Sequence, residues 1–103
     1  VWGYRPEIFV YSGLPAGSRF LDSQPLTGVF ADRHLVQYRP SLAAWTPAYR
    51  GNLIAARPSL VVDGLGLFNP HLALTKYPDL TMWLTHYEVV ARTPLSVIYR
   101  RRD

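Results

Sequence analysis

Residues 59–64, with the sequence SLVVDG, are the clearest signal for a buried β-strand in this chain. They follow a segment with helical signals, in which Thr46 fits the N-cap and Pro47 the first turn of a helix that ends before Pro58. A helix followed by a continuously apolar strand is typical of a parallel sheet that is covered on both faces. The sequence therefore predicts a small layered α/β domain with a mixed, mostly parallel sheet and flanking helices.

The carboxyl-terminal third predicts a helix and then a β-hairpin. Asn69 and Pro70 fit a helical turn through Lys76, and Pro78 opens a longer helix. The apolar residues of this helix lie at positions i, i+3, i+4 and i+7, which predicts a stripe facing the core: Leu80, Trp83, Leu84 and Tyr87. Residues 88–92 and 96–100 alternate between apolar and polar side chains, so we expect an antiparallel C-terminal hairpin.

The amino-terminal half contains weaker signals. Pro6, Glu7 and Gly13 fit the first turn and the stop of a short helix, although its β-branched content leaves a strand as the competing interpretation. Residues 18–21 are predicted to form a short extended segment. Residues 22–39 show no clear period and are predicted to be mostly loop.

Length and composition indicate one folded unit. The chain has 103 residues, 49% of them hydrophobic, which suits a single domain spanning residues 1–103 and excludes disorder. No apolar run reaches the roughly 18 residues of a transmembrane helix, so we expect a soluble domain. The absence of cysteine excludes disulfides and thiolate catalysis. Because the chain starts at Val1 and has Met82 as its only methionine, we expect it to be an excised piece of a longer protein.

The usual catalytic and metal-binding constellations are missing from the sequence. The three histidines have no second ligand at metal spacing, and the four aspartates that precede Leu80 are never paired as an acid and a base: His34, His71, His86, Asp22, Asp32, Asp63 and Asp79. We therefore expect no catalytic residues, no metal and no cofactor. Ten arginines accompany one lysine, but they cluster only at residues 100–102, which favours a solvated tail and predicts no nucleic-acid partner.

Asp63 is the first candidate for a binding site. It falls at the carboxyl end of the predicted parallel strand, where open α/β sheets bind ligands. Gly64 and Gly66 follow it, as in a phosphate-binding loop, but Asn69 stands where the dinucleotide fingerprint needs a third glycine. This segment therefore indicates either a weak phosphate cradle or an exposed strand end with a tight turn.

A second polar set surrounds the predicted first helix. Tyr4 and Arg5, next to Trp2 at a strand-to-helix junction, would form a mouth for a sugar or a phosphate, together with Glu7 and Arg19. A purely structural interpretation is also open, because Glu7 would stabilise the positive end of the helix and pair with Arg19. The candidate substrate-binding residues are therefore Tyr4, Arg5, Glu7, Arg19 and Asp63.

Several segments together resemble one family of membrane enzymes. The residues that carry the likeness are WGYRPEIFVYSG at 2–13, SRF at 18–20, RPSLVVD at 57–63, YEVVAR at 87–92 and VIYRR at 97–101. They are similar to segments of polytopic bacterial glycosyltransferases, the dolichyl-phosphate-mannose–protein mannosyltransferase-like enzymes that use polyprenyl-phosphate sugars. The likeness spans most of the chain as loosely spaced segments, none of which is a catalytic signature.

The resemblance implies an accessory role. In that family a soluble carboxyl-terminal domain follows the last membrane helix, and the carboxylates that perform the chemistry lie elsewhere. The chain would then be a non-catalytic domain at the periplasmic face of the inner membrane, with the transmembrane portion of the same polypeptide as its partner and with a lipid-linked sugar or an acceptor nearby. Two alternatives stay open: a small Rossmann-like domain that binds a nucleotide or phosphometabolite around Asp63 and Gly66, and an interaction module whose terminal arginines contact acidic partners.

Overall fold

The computed structural model describes residues 1–3, 7–17, 24–28 and 45–103. Its regular elements, in chain order, are helix α1 (Glu7–Ser12), helix α2 (Gln24–Thr27), helix α3 (Thr46–Ala56), strand β1 (Leu60–Asp63), two 3-10 turns (Pro70–Leu72 and Leu74–Lys76), helix α4 (Pro78–Leu84), strand β2 (Tyr87–Arg92) and strand β3 (Val97–Arg101). In the described part of the chain, four α-helices therefore accompany one three-stranded sheet.

The sheet is antiparallel, so the prediction of a mostly parallel sheet is wrong. Its strand order is β1-β3-β2, and β3 pairs antiparallel with both neighbours. The strand next to β1 is β3, the second strand of the hairpin that follows α4, and it runs antiparallel to β1. A strand connected to β1 through a helix was expected to run parallel to it. The burial of β1 also alternates, since Val61 and Asp63 are buried but Leu60 is exposed. Its apolar run therefore does not indicate cover on both faces.

The predicted C-terminal hairpin is confirmed. Strands β2 and β3 pair along their length, with an irregularity in register between Val89 and Ala91. The turn between them is closed by a hydrogen bond from the Thr93 N–H to the Ser96 carbonyl (2.9 Å) and by a contact of 2.9 Å between the two hydroxyl groups. The turn is thus stabilised by polar side chains on both sides of Pro94.

Helix boundaries follow the proline and glycine signals closely. Helix α1 occurs where Glu7 and Gly13 predicted it; Gly13 has a φ of 68° and donates its N–H to the Phe9 carbonyl (3.1 Å), which ends the helix in a left-handed residue. Helix α3 begins at Thr46 itself, with Trp45 before it, so Thr46 is not the capping residue that the sequence indicated. The two 3-10 turns from Pro70 confirm the predicted helical turn.

Two predictions for the amino-terminal half need correction or lie outside the described residues. Gln24–Thr27 forms a helical turn, with Leu26 buried, inside the segment that was predicted to be mostly loop. A turn of this length depends on its tertiary contacts, because its four residues are too few for a stable isolated helix. The extended segment predicted at 18–21 lies outside the described residues.

The core forms where the helices pack on the sheet and on the segment after β1. The predicted stripe of α4 is confirmed for Leu80 and Trp83, which are buried, whereas Leu84 is only partly buried. Tyr87 is buried too, but it already belongs to β2. The side chains with the least exposure in the described part of the chain come from four different elements or loops: Trp2, Leu65, Leu74 and Leu80.

One buried cation connects three helices. The Arg50 guanidinium donates from Nε to Asp79 Oδ2 (2.6 Å) and from Nη1 to the Leu26 carbonyl (2.7 Å). Its carbon Cζ lies 4.9 Å from the centre of the Tyr77 ring. Because Arg50 is on α3, Leu26 on α2 and Asp79 on α4, this side chain fixes the relative positions of the helices.

Candidate functional site

The amino terminus of the chain lies against the end of β1. The Trp2 N–H donates to the Val62 carbonyl (2.7 Å), and the Gly64 N–H donates to the Trp2 carbonyl (2.8 Å). These bonds make Trp2 and Asp63 a parallel bridge outside the three strands. The Trp2 side chain is almost fully buried, donates from Nε1 to the Leu72 carbonyl (2.8 Å) and packs edge-on against Tyr77. Val1 and Trp2 are therefore held beside the segment that follows β1.

Asp63 organises that segment through its carboxylate. Oδ1 accepts hydrogen bonds from the N–H groups of Leu65 (2.9 Å) and Gly66 (2.8 Å), and Oδ2 accepts one from Leu74 (2.9 Å). The residue is only 3% exposed. A buried carboxylate requires such compensation, because its desolvation is otherwise expensive. All three bonds are to the backbone of the same loop, residues 64–74, so Asp63 acts as an internal brace of that loop.

This geometry argues against the predicted phosphate cradle. The N–H groups of Leu65 and Gly66, which would have to face a phosphate, already donate to Asp63. A phosphate placed there would lie next to the negative charge of Asp63 and would be repelled by it. The antiparallel sheet also removes the crevice at the carboxyl ends of parallel strands on which the Rossmann-like interpretation depended.

Gly66 is required by close packing inside the loop. A Cβ atom at this position would lie 2.7 Å from the Ala73 Cβ and 3.0 Å from Asp63 Oδ2. Both distances are below ordinary van der Waals contact. The second glycine of the Gly-x-Gly pattern is therefore explained by the close approach of residues 66 and 73, both of which lie near the Asp63 carboxylate.

The braced loop displays two apolar side chains to solvent. Leu67 is 50% exposed and Phe68 is 68% exposed. The backbone beneath them is held by two bonds to the Leu65 carbonyl, from the N–H groups of Phe68 (3.1 Å) and Asn69 (2.8 Å). The side chain of Asn69 in turn accepts from the His71 N–H (3.1 Å). Leu67 and Phe68 are thus presented by a stiff backbone, and the sequence analysis did not single them out.

The remaining candidate residues are placed as follows. Tyr4, Arg5 and Arg19 lie outside the described residues. Glu7 is the first residue of α1 and is half-buried, as the structural interpretation of the sequence expected for the positive end of a helix. Its predicted ion pair with Arg19 stays a prediction. Among the five candidates, Asp63 is the one whose hydrogen-bond partners are defined, and those partners give it a structural role.

An apolar cavity of about 110 Å³ lies between α1 and β1. Its walls include Ile8 and Phe9 from α1, Leu53 from α3, and Leu60 and Val62 from β1. Most of the lining is nonpolar, and Ser12 adds a hydroxyl group that donates to the Phe9 carbonyl (3.5 Å). The size of the cavity is below the roughly 150 Å³ of an engineered cavity that admits benzene.

Burial and the negative charge of Asp63 affect the pKa of Tyr99. Burial raises the pKa of the Tyr99 phenol above its ordinary value, and the negative charge of Asp63 raises it further, while Arg92 opposes the shift. Tyr99 therefore stays protonated at neutral pH. A neutral, half-buried phenol beside a braced carboxylate packs the sheet and supplies no activated base.

Two classes of site are not found among residues 1–3, 7–17, 24–28 and 45–103. Within these ranges no three His, Asp or Glu side chains come together as metal ligands. No helix in the same ranges is long and apolar enough to cross a membrane.

Two of the three clustered arginines are paired within the chain, Arg100 with Glu88 (2.8 Å) and Arg101 with Asp103 (3.7 Å). The C-terminal tail is therefore less free to contact an acidic partner than the sequence indicated.

Comparison with models of known families, with curated proteins and with solved structures finds no match for this chain. The geometry alone therefore defines the class: a small α+β domain in which strand β1 of a three-stranded antiparallel sheet is followed by a loop that Asp63 braces and that exposes Leu67 and Phe68. The resemblance to polyprenyl-phosphate-sugar glycosyltransferases stays a prediction.

Proposed function

We propose that the chain is a non-catalytic accessory domain of a membrane glycosyltransferase that transfers a sugar from a polyprenyl-phosphate carrier. The observation that carries this proposal is that the Asp63 carboxylate is bonded inside its own loop. The polar group best placed for chemistry is buried and bonded to three backbone N–H groups of its own loop. The exposed side chains of the loop include two adjacent large apolar ones, Leu67 and Phe68.

A stiff loop that exposes two adjacent apolar side chains is suited to docking. Burying a large apolar side chain against a partner contributes about 1.5–3 kcal/mol, and a loop that is already ordered loses little entropy on binding. Scattered apolar residues on a surface need no explanation, but Leu67 and Phe68 are neighbours on a backbone held by Asp63 and Asn69.

The partner in this proposal is the transmembrane portion of the same polypeptide, joined ahead of Val1. The bonds of Trp2 to Val62, Gly64 and Leu72 hold this end of the chain beside the braced loop. Leu67 and Phe68 would then face the membrane part at the periplasmic side of the inner membrane, next to the lipid-linked sugar or the acceptor. No cofactor is assigned to the domain.

The proposal is tested first on the gene and on the isolated chain. The coding sequence upstream of Val1 is expected to encode several membrane-spanning segments. The purified 103 residues are expected to show no glycosyl transfer from a polyprenyl-phosphate sugar. An upstream sequence without membrane segments, or turnover by the isolated chain above a no-enzyme control, would overturn the accessory role.

A second test addresses docking in the intact protein. Phe68→Ser is expected to reduce sugar transfer in membranes about tenfold, which corresponds to losing part of one buried aromatic contact. Leu95→Ser is the matched control, because Leu95 has a similar exposure of 65% but lies in the hairpin turn. Equal turnover for the two variants, at equal expression, would show that the loop does not dock.

A further inference from the structure

A groove of about 470 Å³ lies on a different part of the molecule, between the end of α3, helix α4 and the ends of β2 and β3. Its volume is within the range of small-molecule sites. Ile54, Met82 and Trp83 contribute apolar surface to it. Asp79 also lines the groove, but its carboxylate is paired with Arg50 at 2.6 Å. Two arginines, Arg57 and Arg101, and one histidine, His86, also line the groove.

Arg57 stands at a backbone position that favours glycine. It follows α3 with φ 47° and ψ 53°, and it is the one residue other than glycine with positive φ in the described part of the chain. Glycine is common at this helix end because a Cβ atom makes the left-handed region unfavourable. The side chain is largely exposed and contributes no packing that would explain it. Strain of this kind at a groove points to a function for the guanidinium.

Arg101 brings a second guanidinium to the same place. Its Nη1 donates to the Arg57 carbonyl, and its Nε donates to the Asp103 carbonyl (3.0 Å). The carboxylate of Asp103 bridges the two cations: Oδ2 lies 2.8 Å from Arg57 Nη2, and Oδ1 lies 3.7 Å from Arg101 Nε. The Asp103 side chain is about half exposed, two residues beyond the end of β3.

We propose that this groove binds a phosphate monoester with an apolar body, and that the Asp103 carboxylate occupies the phosphate position when the ligand is absent. A monoester carries a charge of about −1.5 to −2 at neutral pH, which matches two guanidinium groups, whereas the carboxylate of the Asp103 side chain carries a single charge. The three phosphate oxygens can accept from Arg57 and Arg101 together. The apolar body lies along Ile54, Met82 and Trp83.

Displacing the Asp103 carboxylate costs little free energy, because its ion pair with Arg57 is exposed to solvent. Arg101 keeps its position without Asp103, since its guanidinium also donates to the Arg57 carbonyl. The Arg101 guanidinium is therefore in place before the ligand arrives, and Arg57 exchanges Asp103 for the phosphate. The same chemistry is offered by a free monoester and by the headgroup of phosphatidic acid. This inference does not depend on the proposed docking of Leu67 and Phe68.

The experiment is a calorimetric titration of the full chain with phenyl phosphate, in parallel with vesicles that contain phosphatidic acid. Arg57→Gly is the informative variant, because glycine tolerates the positive φ of residue 57. The substitution therefore removes the guanidinium without straining the backbone. It is expected to weaken binding about tenfold or more, as the loss of a charge-assisted hydrogen bond does. Asp103→Asn is expected to strengthen binding severalfold by removing the competing charge.

Arg100→Gln is the matched control, because it removes the same charge from a guanidinium that pairs with Glu88 outside the groove. It is expected to change the affinity less than twofold. Binding of phenyl phosphate assigns a free ligand, and binding to the vesicles alone assigns a lipid headgroup; both support the site. Equal weakening by Arg57→Gly and Arg100→Gln, or no binding of either probe at millimolar concentration, would overturn the proposal. Urea unfolding of each variant confirms that it is folded.

Discussion

The Oδ2 atom of Asp63 accepts a hydrogen bond of 2.9 Å from the backbone N–H of Leu74, eleven residues further along the chain. This bond closes the loop after β1 and places Leu74 in the core, where it is fully buried. The other carboxylate oxygen holds the start of the same loop at Leu65 and Gly66. One acidic side chain thus connects the end of the strand to the two ends of the loop that exposes Phe68.

Asp63→Asn is expected to destabilise the protein by about 2–3 kcal/mol, because the amide removes the charge and turns a donor toward one of the buried N–H groups. Urea denaturation measures the loss. Glu88→Gln, which breaks an exposed pair with Arg100, is the control and is expected to change stability far less than Asp63→Asn does. A similar cost for both variants would contradict the role of Asp63 as a brace.

Gly66→Ala and Gly51→Ala are expected to change stability in opposite directions. A Cβ at Gly66 would meet Ala73 at 2.7 Å, so we expect a loss of about 1–3 kcal/mol from overpacking. Gly51 lies within α3, and a Cβ atom there would meet no side chain or other element within 4 Å, so alanine is expected to stabilise the helix by about 0.5–1 kcal/mol. Thermal unfolding midpoints distinguish the two. Stabilisation by Gly66→Ala would show that residues 66 and 73 are not in close contact.

Arg50→Met is expected to cost about 2–3 kcal/mol, because it removes the bonds to Asp79 and to the Leu26 carbonyl together. Asp79 is about one third exposed, so its loss of a partner is less severe than in a fully buried pair. A double-mutant cycle with Asp79→Asn isolates the pair. A coupling free energy near zero would mean that Arg50 acts through the Leu26 carbonyl and the Tyr77 ring and not through Asp79.

Leu80→Ala is expected to cost about 2–5 kcal/mol, because Leu80 has no exposed surface and sits in the main cluster of the core. Leu84, on the same predicted stripe but only partly buried, is expected to cost less when it is changed to alanine. Met82→Ala, on the exposed side of α4, is the control with an expected change within about 0.5 kcal/mol. The order Leu80, Leu84, Met82 in chemical denaturation checks the orientation of the helix.

Stability is expected to fall at alkaline pH through Tyr99. Burial raises its pKa in the folded protein above the unfolded value, so the folded state retains the phenol proton longer than the unfolded state. Its contribution is fully present below the ordinary tyrosine pKa of about 10 and is lost as the pH rises through the raised folded value. Tyr99→Phe should lose less stability than the wild type between about pH 9 and about pH 11. Identical losses would mean that Tyr99 titrates normally.

The helices and the hairpin could be predicted because their signals are local. Proline at the first turn and glycine after the last one act within a few residues, so Pro78 opens α4 and Gly13 follows α1 as expected. The end of α4 has no such signal, and the helix stops at Leu84, before the Tyr87 that the predicted stripe included. Alternation over residues 88–92 and 96–100 identified the hairpin for the same reason. Asp63 was also recognised as an important residue from its place at the end of a strand, but its role was assigned to a ligand.

Only the tertiary structure decided the strand order and the partners of Asp63. Residues 60–63 form a strand in either sheet type, and the choice between parallel and antiparallel depends on β3, which pairs with β1 across more than thirty intervening residues. The bond to Leu74 and the meeting of Arg57 with Arg101 depend on the same long-range arrangement. By itself the sequence determined most of the elements, since their signals are short-range, whereas the helical turn Gln24–Thr27 depends on tertiary contacts. Their pairing was decided by which apolar faces could be buried together, and that balance is set by the whole chain.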